Sequence, residues 1–144
     1  TDIRTDTFAQ PGRASGVSHS INCPTTGAAS VADGLIDADA AELKQCLGCT
    51  HRVALVIDPE DPSDPYDRED YHWYRLDDNG RWSHKGGGTP ATDRDASNNL
   101  ITNPETADRR SAGPDYSLNY STFCGYYCVD KDVVNIADSR KCRY

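Results

Sequence analysis

The stretch YHWYRLDDNGRWSH (residues 71–84) decides the fold, because bulky and polar side chains alternate on either side of an Asn-Gly pair. Tyr71 to Leu76 and Arg81 to His84 read as two strands, with Asp77-Asp78-Asn79-Gly80 as the turn between them. Asn-Gly supplies the positive φ values that a tight hairpin turn demands. In the first strand Tyr71, Trp73 and Arg75 point one way and His72, Tyr74 and Leu76 the other. Both faces are partly apolar, so both are expected to be covered.

Working outward, VALVI (residues 53–57) is a short unbroken apolar run suited to a buried central strand, and FCGYYCV (residues 123–129) reads as another strand, with Val133 to Ile136 as a short last one. Between VALVI and the hairpin lies DPEDPSDPYDRED (residues 58–70), seven acids against one arginine. Pro59, Pro62 and Pro65 keep it from being helix or central strand, so it is expected to be an exposed, extended excursion. Helical stretches are confined to residues 25–47: AASVADGL, then Asp39 to Leu47 with Asp37 or Asp39 as N-cap and Gly48 as a stop. The polar stretch from Gly86 to Ser117 is too long for an ordinary connection and too varied for a flexible linker, which predicts an ordered loop draped over the sheet. The expected fold is α+β: one domain over residues 1–144, a small, mainly antiparallel sheet, one or two short helices and long ordered loops, with residues 1–16 an extended N-terminal segment.

With 144 residues, 36% hydrophobic, and a mean hydropathy of -0.74, such a chain has a modest core. Six cysteines against no methionine and two phenylalanines favour three disulfides and an oxidising compartment, so secretion to the extracellular space is expected. A net charge of -8, most of it in residues 58–70, argues against a nucleic-acid partner, which would need a basic face. No apolar run is long enough for a membrane span, and Thr1 to Thr7 lacks a signal peptide's basic-then-apolar layout. A numbering that opens on Thr fits a leader already removed.

The cysteines are Cys23, Cys46, Cys49, Cys124, Cys128 and Cys142. Cys46-Leu-Gly-Cys49 followed by Cys124 and Cys128 resembles a four-thiolate zinc site in outline, but residues i and i+4 of a strand lie roughly 13 Å apart on one face. That is too far to share a metal ion or to bridge each other, so Cys124 and Cys128 each need a partner on another element. Fifteen connectivities remain open. A redox role for Cys46 and Cys49 fits less well, since that motif follows a strand and opens a helix.

Three groups of residues bear on chemistry. His72 and His84 lie on the two strands of one hairpin, close enough for shared chemistry, although a partly buried sheet histidine is the plainer reading of each. With Cys23 ahead of the helical stretch and Asp95 to orient the imidazole, they follow the order of a papain-like hydrolase, weakened by Pro24 directly after the cysteine. Asp58, Glu60, Asp61 and Asp64 offer oxygens for calcium, but no calcium-loop motif frames them, and a solvated loop is the simpler expectation; no other cofactor is indicated. Asn119-Tyr-Ser121 satisfies the N-glycosylation rule.

The segments DYHWYRLDDNGRWSHK (residues 70–85), Gly88-Thr-Pro90, Asn103 to Asp108 and Phe123 to Cys128, with TFAQPGRASG (residues 7–16) and Ala32-Asp-Gly-Leu35, resemble a family of mostly uncharacterised, secreted proteins of microbes and algae. The resemblance extends over most of the chain. That family is faintly papain-like, with an Asn-Cys-Tyr motif just ahead of the TFAQPG segment as its candidate nucleophile, a point that falls before residue 1 here. The resemblance therefore transfers no catalytic cysteine to this chain. The leading expectation is a secreted, disulfide-stabilised extracellular protein with a structural, self-assembling or binding role, forming homo-oligomers or filaments by exchange of residues 1–16. The alternative is a papain-like cysteine hydrolase or its inactive remnant.

Overall fold

The computed structural model describes residues 11–38, 46, 50–64, 67, 69–86, 89–110, 118–130 and 132–133. One helix, α1 (Cys23–Ala32), is followed by five strands: β1 (Ile36–Asp37), β2 (Thr50–Asp58), β3 (Asp70–Leu76), β4 (Trp82–His84) and β5 (Thr122–Asp130). They form a single antiparallel sheet in the order β1-β5-β2-β3-β4. This is a small disulfide-stabilised α+β fold.

The unbroken apolar run of VALVI places β2 at the centre, where Ala54, Leu55, Val56 and Ile57 are all buried. Alternation divides the core between two faces. On one, Ala54, Val56, Tyr74 and Trp82 pack with Ile101, contributed by the long loop after β4. On the other, Leu55, Ile57 and Tyr127 pack with Cys23, Leu35, Tyr71 and Trp73, and here α1 lies across β2 and β5. Residues 89–110 of the loop are thus draped over one face, with Ile101 and Pro104 fully buried.

The hairpin forms with a different turn from the one expected. Gly80 N–H donates to Asp77 O at 3.0 Å and Asp77 N–H to Arg81 O at 2.8 Å. Gly80 has φ +78, whereas Asn79 does not enter the left-handed region. A turn ending in a left-handed glycine adds a bulge and keeps the strands' twist, so only one residue needs the positive φ.

Helix α1 starts earlier than its apolar pattern indicates. Asn22 caps it, its side chain accepting from Thr25 N–H at 3.0 Å, and Pro24 occupies the first turn, where a missing N–H costs nothing. It ends in a Schellman arrangement: Gly34 (φ +107) donates to Val31 O and Leu35 to Ser30 O. Asp37, expected as the cap of a second helix, lies instead in β1. The rest of that helix, residues 39–47, falls almost wholly outside the described residues, as do residues 1–10 and, except for Val133 in a turn, the short last strand.

Helix α1 sits close on the sheet because Gly27 has no side chain. A Cβ there would collide with the hydroxyl of Tyr127, itself buried and edge-on to Trp73 at 5.6 Å. Gly27→Ala is expected to lower stability by about 2 kcal/mol, read as a shift in the urea midpoint with an unchanged slope. No shift would mean that Tyr127 swings aside freely.

Among the described residues two disulfides tie these elements together, Cys23–Cys124 and Cys46–Cys128. Cys124 and Cys128 do look to other elements, but they do not share a face of β5. The register shifts between Leu55, opposite Gly125, and Val56, opposite Phe123, so Cys124 is the extra residue of a bulge at Gly125 (φ +145). The bulge turns Cys124 toward α1, while regular alternation from Tyr127 points Cys128 to the opposite face. Cys49 and Cys142 lie outside the described residues.

Candidate functional site

A group of titratable side chains lies on the loop-covered face, at the β3–β4 end. Register sets it: His84 stands opposite Tyr74, so His72, two residues earlier on β3, is its diagonal neighbour. The rings meet directly, His72 Nε2 to His84 Nδ1 at 2.8 Å. His84 Nε2 lies 3.0 Å from the carbonyl of Arg94, which only accepts. His84 therefore carries its proton on Nε2 when neutral, its Nδ1 accepts, and His72 Nε2–H donates. The chain of donors is fixed from His72 through His84 to the loop backbone.

Tyr120 stacks on the other side of His72, with ring centroids 5.1 Å apart, and Tyr74 meets it edge-on at 5.4 Å. The Tyr120 hydroxyl donates to Asp70 Oδ2 at 2.6 Å. Asp70 is the register partner of Asp58, which is buried and accepts from Asn119 N–H at 3.1 Å. Burial, followed by the neighbouring His84, pushes the His72 imidazole down to about 4, against the pull of Asp70. Burial likewise raises the Asp58 carboxyl, helped by Asp67 and Asp70 and opposed by the Asn119 amide. Tyr74 is raised by burial to about 12, and Tyr120 is raised by burial and then by its bond to Asp70. Every one of these shifts favours the neutral form, as partial burial does to groups of either sign.

The set of Cys23, a histidine and Asp95 expected for a papain-like centre is not brought together here. Cys23 is bonded to Cys124 on the helix-covered face, so the sheet stands between it and the histidines. Asp95, expected to orient an imidazole, spends its carboxylate on backbone amides: Oδ1 accepts from Ser97 and Asn99 and Oδ2 from Asp108, at 2.9 to 3.0 Å. It organises its own loop, and the Arg94 carbonyl takes the place it would have filled at His84.

The acidic excursion is similarly self-contained. Asp58 belongs to the end of β2 and points inward. Asp61 Oδ1 accepts from the amide and hydroxyl of Ser63 at 2.8 and 2.6 Å, which lowers its pKa, and Asp67 accepts from Asp61 N–H. Glu60 and Asp64 do not join Asp58 and Asp61 in a ligand set; among the described residues no three His, Cys, Asp or Glu side chains stand where they could hold a metal ion. Asn119 is exposed.

Two polar centres escaped the sequence reading. Asp33, buried at the end of α1, accepts from Gly12 N–H (2.6 Å), Ser15 N–H (2.9 Å) and Ser15 Oγ (2.8 Å), so residues 11–16 fold back onto the helix. Arg109 donates to the carbonyls of Pro104, Glu105, Tyr120 and Ser121 at 2.6 to 3.0 Å, binding the loop to the start of β5. The two glycines of Gly-Arg-Ala-Ser-Gly (residues 12–16) mark a turn, but nothing local ties it to Asp33, and nothing local marks the second centre.

Among known proteins, the chain is similar to insoluble matrix shell protein 1 of Ruditapes philippinarum, with 44% identity over 131 residues, 90% of this chain and 74% of the relative. No family model matches the chain, and no solved structure does. Among the described residues no helix is long and apolar enough to cross a membrane.

Proposed function

The chain belongs to the family of insoluble matrix shell protein 1, and from that premise we propose that it is a structural protein of an extracellular matrix rather than an enzyme. The observation that carries this reading is the 44% identity over 90% of the chain. Two disulfides that each close a loop of 80 residues or more give the durability such a role needs.

The finer part of the proposal is that copies assemble into the matrix through the N-terminal segment, residues 1–16. Because Asp33 holds Gly12 and Ser15 on the chain's own helix, a donated strand would have to come from residues before 11. A glycan on the exposed Asn119 belongs to the same reading. The expected result is that peptides from β2 and β3 are recovered from the insoluble extracellular fraction of the source tissue. Recovery only from cell extracts would overturn the matrix role. A purified chain that stays monomeric by light scattering at all concentrations would overturn assembly while leaving the location standing.

A further inference from the structure

We propose that the His72–His84 pair is an acid-labile clasp that holds the strap of residues 89–101 against the outer edge of β4. That edge is the border of the sheet, and the strap occupies its hydrogen-bonding groups. Trp82 N–H donates to Ile101 O, while His84 and Thr92 exchange both backbone bonds, each at 2.9 Å. The strap is itself a small hairpin, with Arg94 paired to Leu100 around a turn in which Asn98 takes φ +64. Its one bond to a β4 side chain is the His84 Nε2–H to the Arg94 carbonyl.

Proton counting explains why this clasp responds to acid. A neutral pair has one N–H between the rings. A first added proton is accommodated: His84 donates from both nitrogens, to His72 and to Arg94 O, and His72 moves its own proton to Nδ1. A second proton places two N–H groups face to face across 2.8 Å, and the rings must part. The parting falls on His84, which has one tyrosine ring against it, Tyr74 at 4.9 Å, whereas His72 is held by both Tyr120 and Tyr74. Displacing His84 takes the strap's anchor with it.

The surrounding charges do not cancel this. From β3, Asp70 favours protonated His72 but is already bonded to Tyr120, and from β2 the buried Asp58 accepts from the Asn119 amide. On the strap and beyond, Asp95 and Asp108 are committed to backbone amides and to Arg110, and Arg109 to carbonyls. Lys85 follows His84 directly and adds positive charge. His72 sits at about 4 in the closed form because of burial and the neighbouring His84. When His84 and the strap part from it both causes weaken, its value climbs back toward 6.5, the open form binds more protons, and opening becomes easier as the pH falls through that window.

Hydrogen exchange of the full chain, corrected for the intrinsic rate at each pH, tests the clasp. Between pH 8 and pH 5, protection of amides in residues 89–101 is expected to fall at least ~10-fold while β2 amides hold theirs. In His72→Gln, whose side-chain amide can donate to His84 without titrating, the fall should vanish; His72→Phe, which keeps the stack on Tyr120, serves the same purpose if the first variant folds poorly. Equal loss of protection in the strap and β2, no loss in either, or an undiminished fall in a folded variant would each overturn the clasp.

Discussion

Removing the Cys23–Cys124 bridge is expected to cost this protein a large part of its stability. The two cysteines are 101 residues apart in sequence, and cross-linking a loop of that size removes about 4.7 kcal/mol of unfolded-chain entropy. A small domain holds only about 5 to 15 kcal/mol in total. With an unfolding entropy of roughly 2 cal/mol/K per residue, the double variant Cys23→Ser, Cys124→Ser should melt about 15 °C lower. The Cys46–Cys128 bridge closes a loop of nearly the same length, with a separation of 82, so the entropic loss is nearly equal. Its replacement should nevertheless cost more. Cys128 is 1% exposed, and serine there would bury a hydroxyl without an assured partner. Thermal melts followed by circular dichroism would rank the two variants. Equal shifts would mean that chain entropy alone accounts for both bridges. In the unaltered protein, thiol titration under denaturant should find no free thiol, with Cys49 and Cys142 oxidised as well; two free thiols would end the reading of three disulfides.

The bridges also show what could be read from sequence and what could not. The central strand and the hairpin were legible because each rests on a local pattern, an unbroken apolar run in VALVI and alternation around Asn79-Gly80. The same alternation placed His72 with Tyr74 and Leu76, and so brought His72 and His84 within reach of each other. The bulge was hidden because Phe-Cys-Gly-Tyr-Tyr-Cys-Val reads as one continuous strand, although a glycine inside a strand is where ladders slip. Missing it put Cys124 and Cys128 on one face. The start of α1 was hidden because the apolar pattern begins only at Ala28, while Cys23 to Gly27 carry no periodic signal; Pro24 in the first turn only lacks an N–H that the helix does not use. Asp95 was assigned to the histidines by sequence order alone; the run Asp95-Ala-Ser-Asn-Asn99 is turn chemistry, and its carboxylate caps its own loop. Tyr120 and Asp70 meet across 50 residues of sequence, and nothing local announces a contact of that kind.

Arg109→Ala is expected to be the most damaging single substitution outside the disulfides and the buried apolar core. Its guanidinium is half-buried and reaches four backbone carbonyls, two on each side of the gap between the loop and the start of β5. Residues 104–105 and 120–121 are joined here by one side chain. Truncation would leave part-buried carbonyls at Pro104 and Tyr120 without their donor, a loss of about 3 kcal/mol, or roughly 10 °C in melting temperature. Arg109→Lys should recover less than half of that, because a lysine carries charge and three donors but not the planar fork that spans both segments. The damage should also spread in a defined direction. Tyr120 is the ring that stacks on His72, so loosening its backbone frees one wall of the histidine cluster. If the four bonds act as a tie, Arg109→Ala should speed hydrogen exchange at residues 118–122 and 103–107 together, with α1 unaffected. A variant that loses stability evenly over the whole chain would show that Arg109 contributes through general electrostatics, and a variant that loses none would show that water replaces the guanidinium at all four carbonyls.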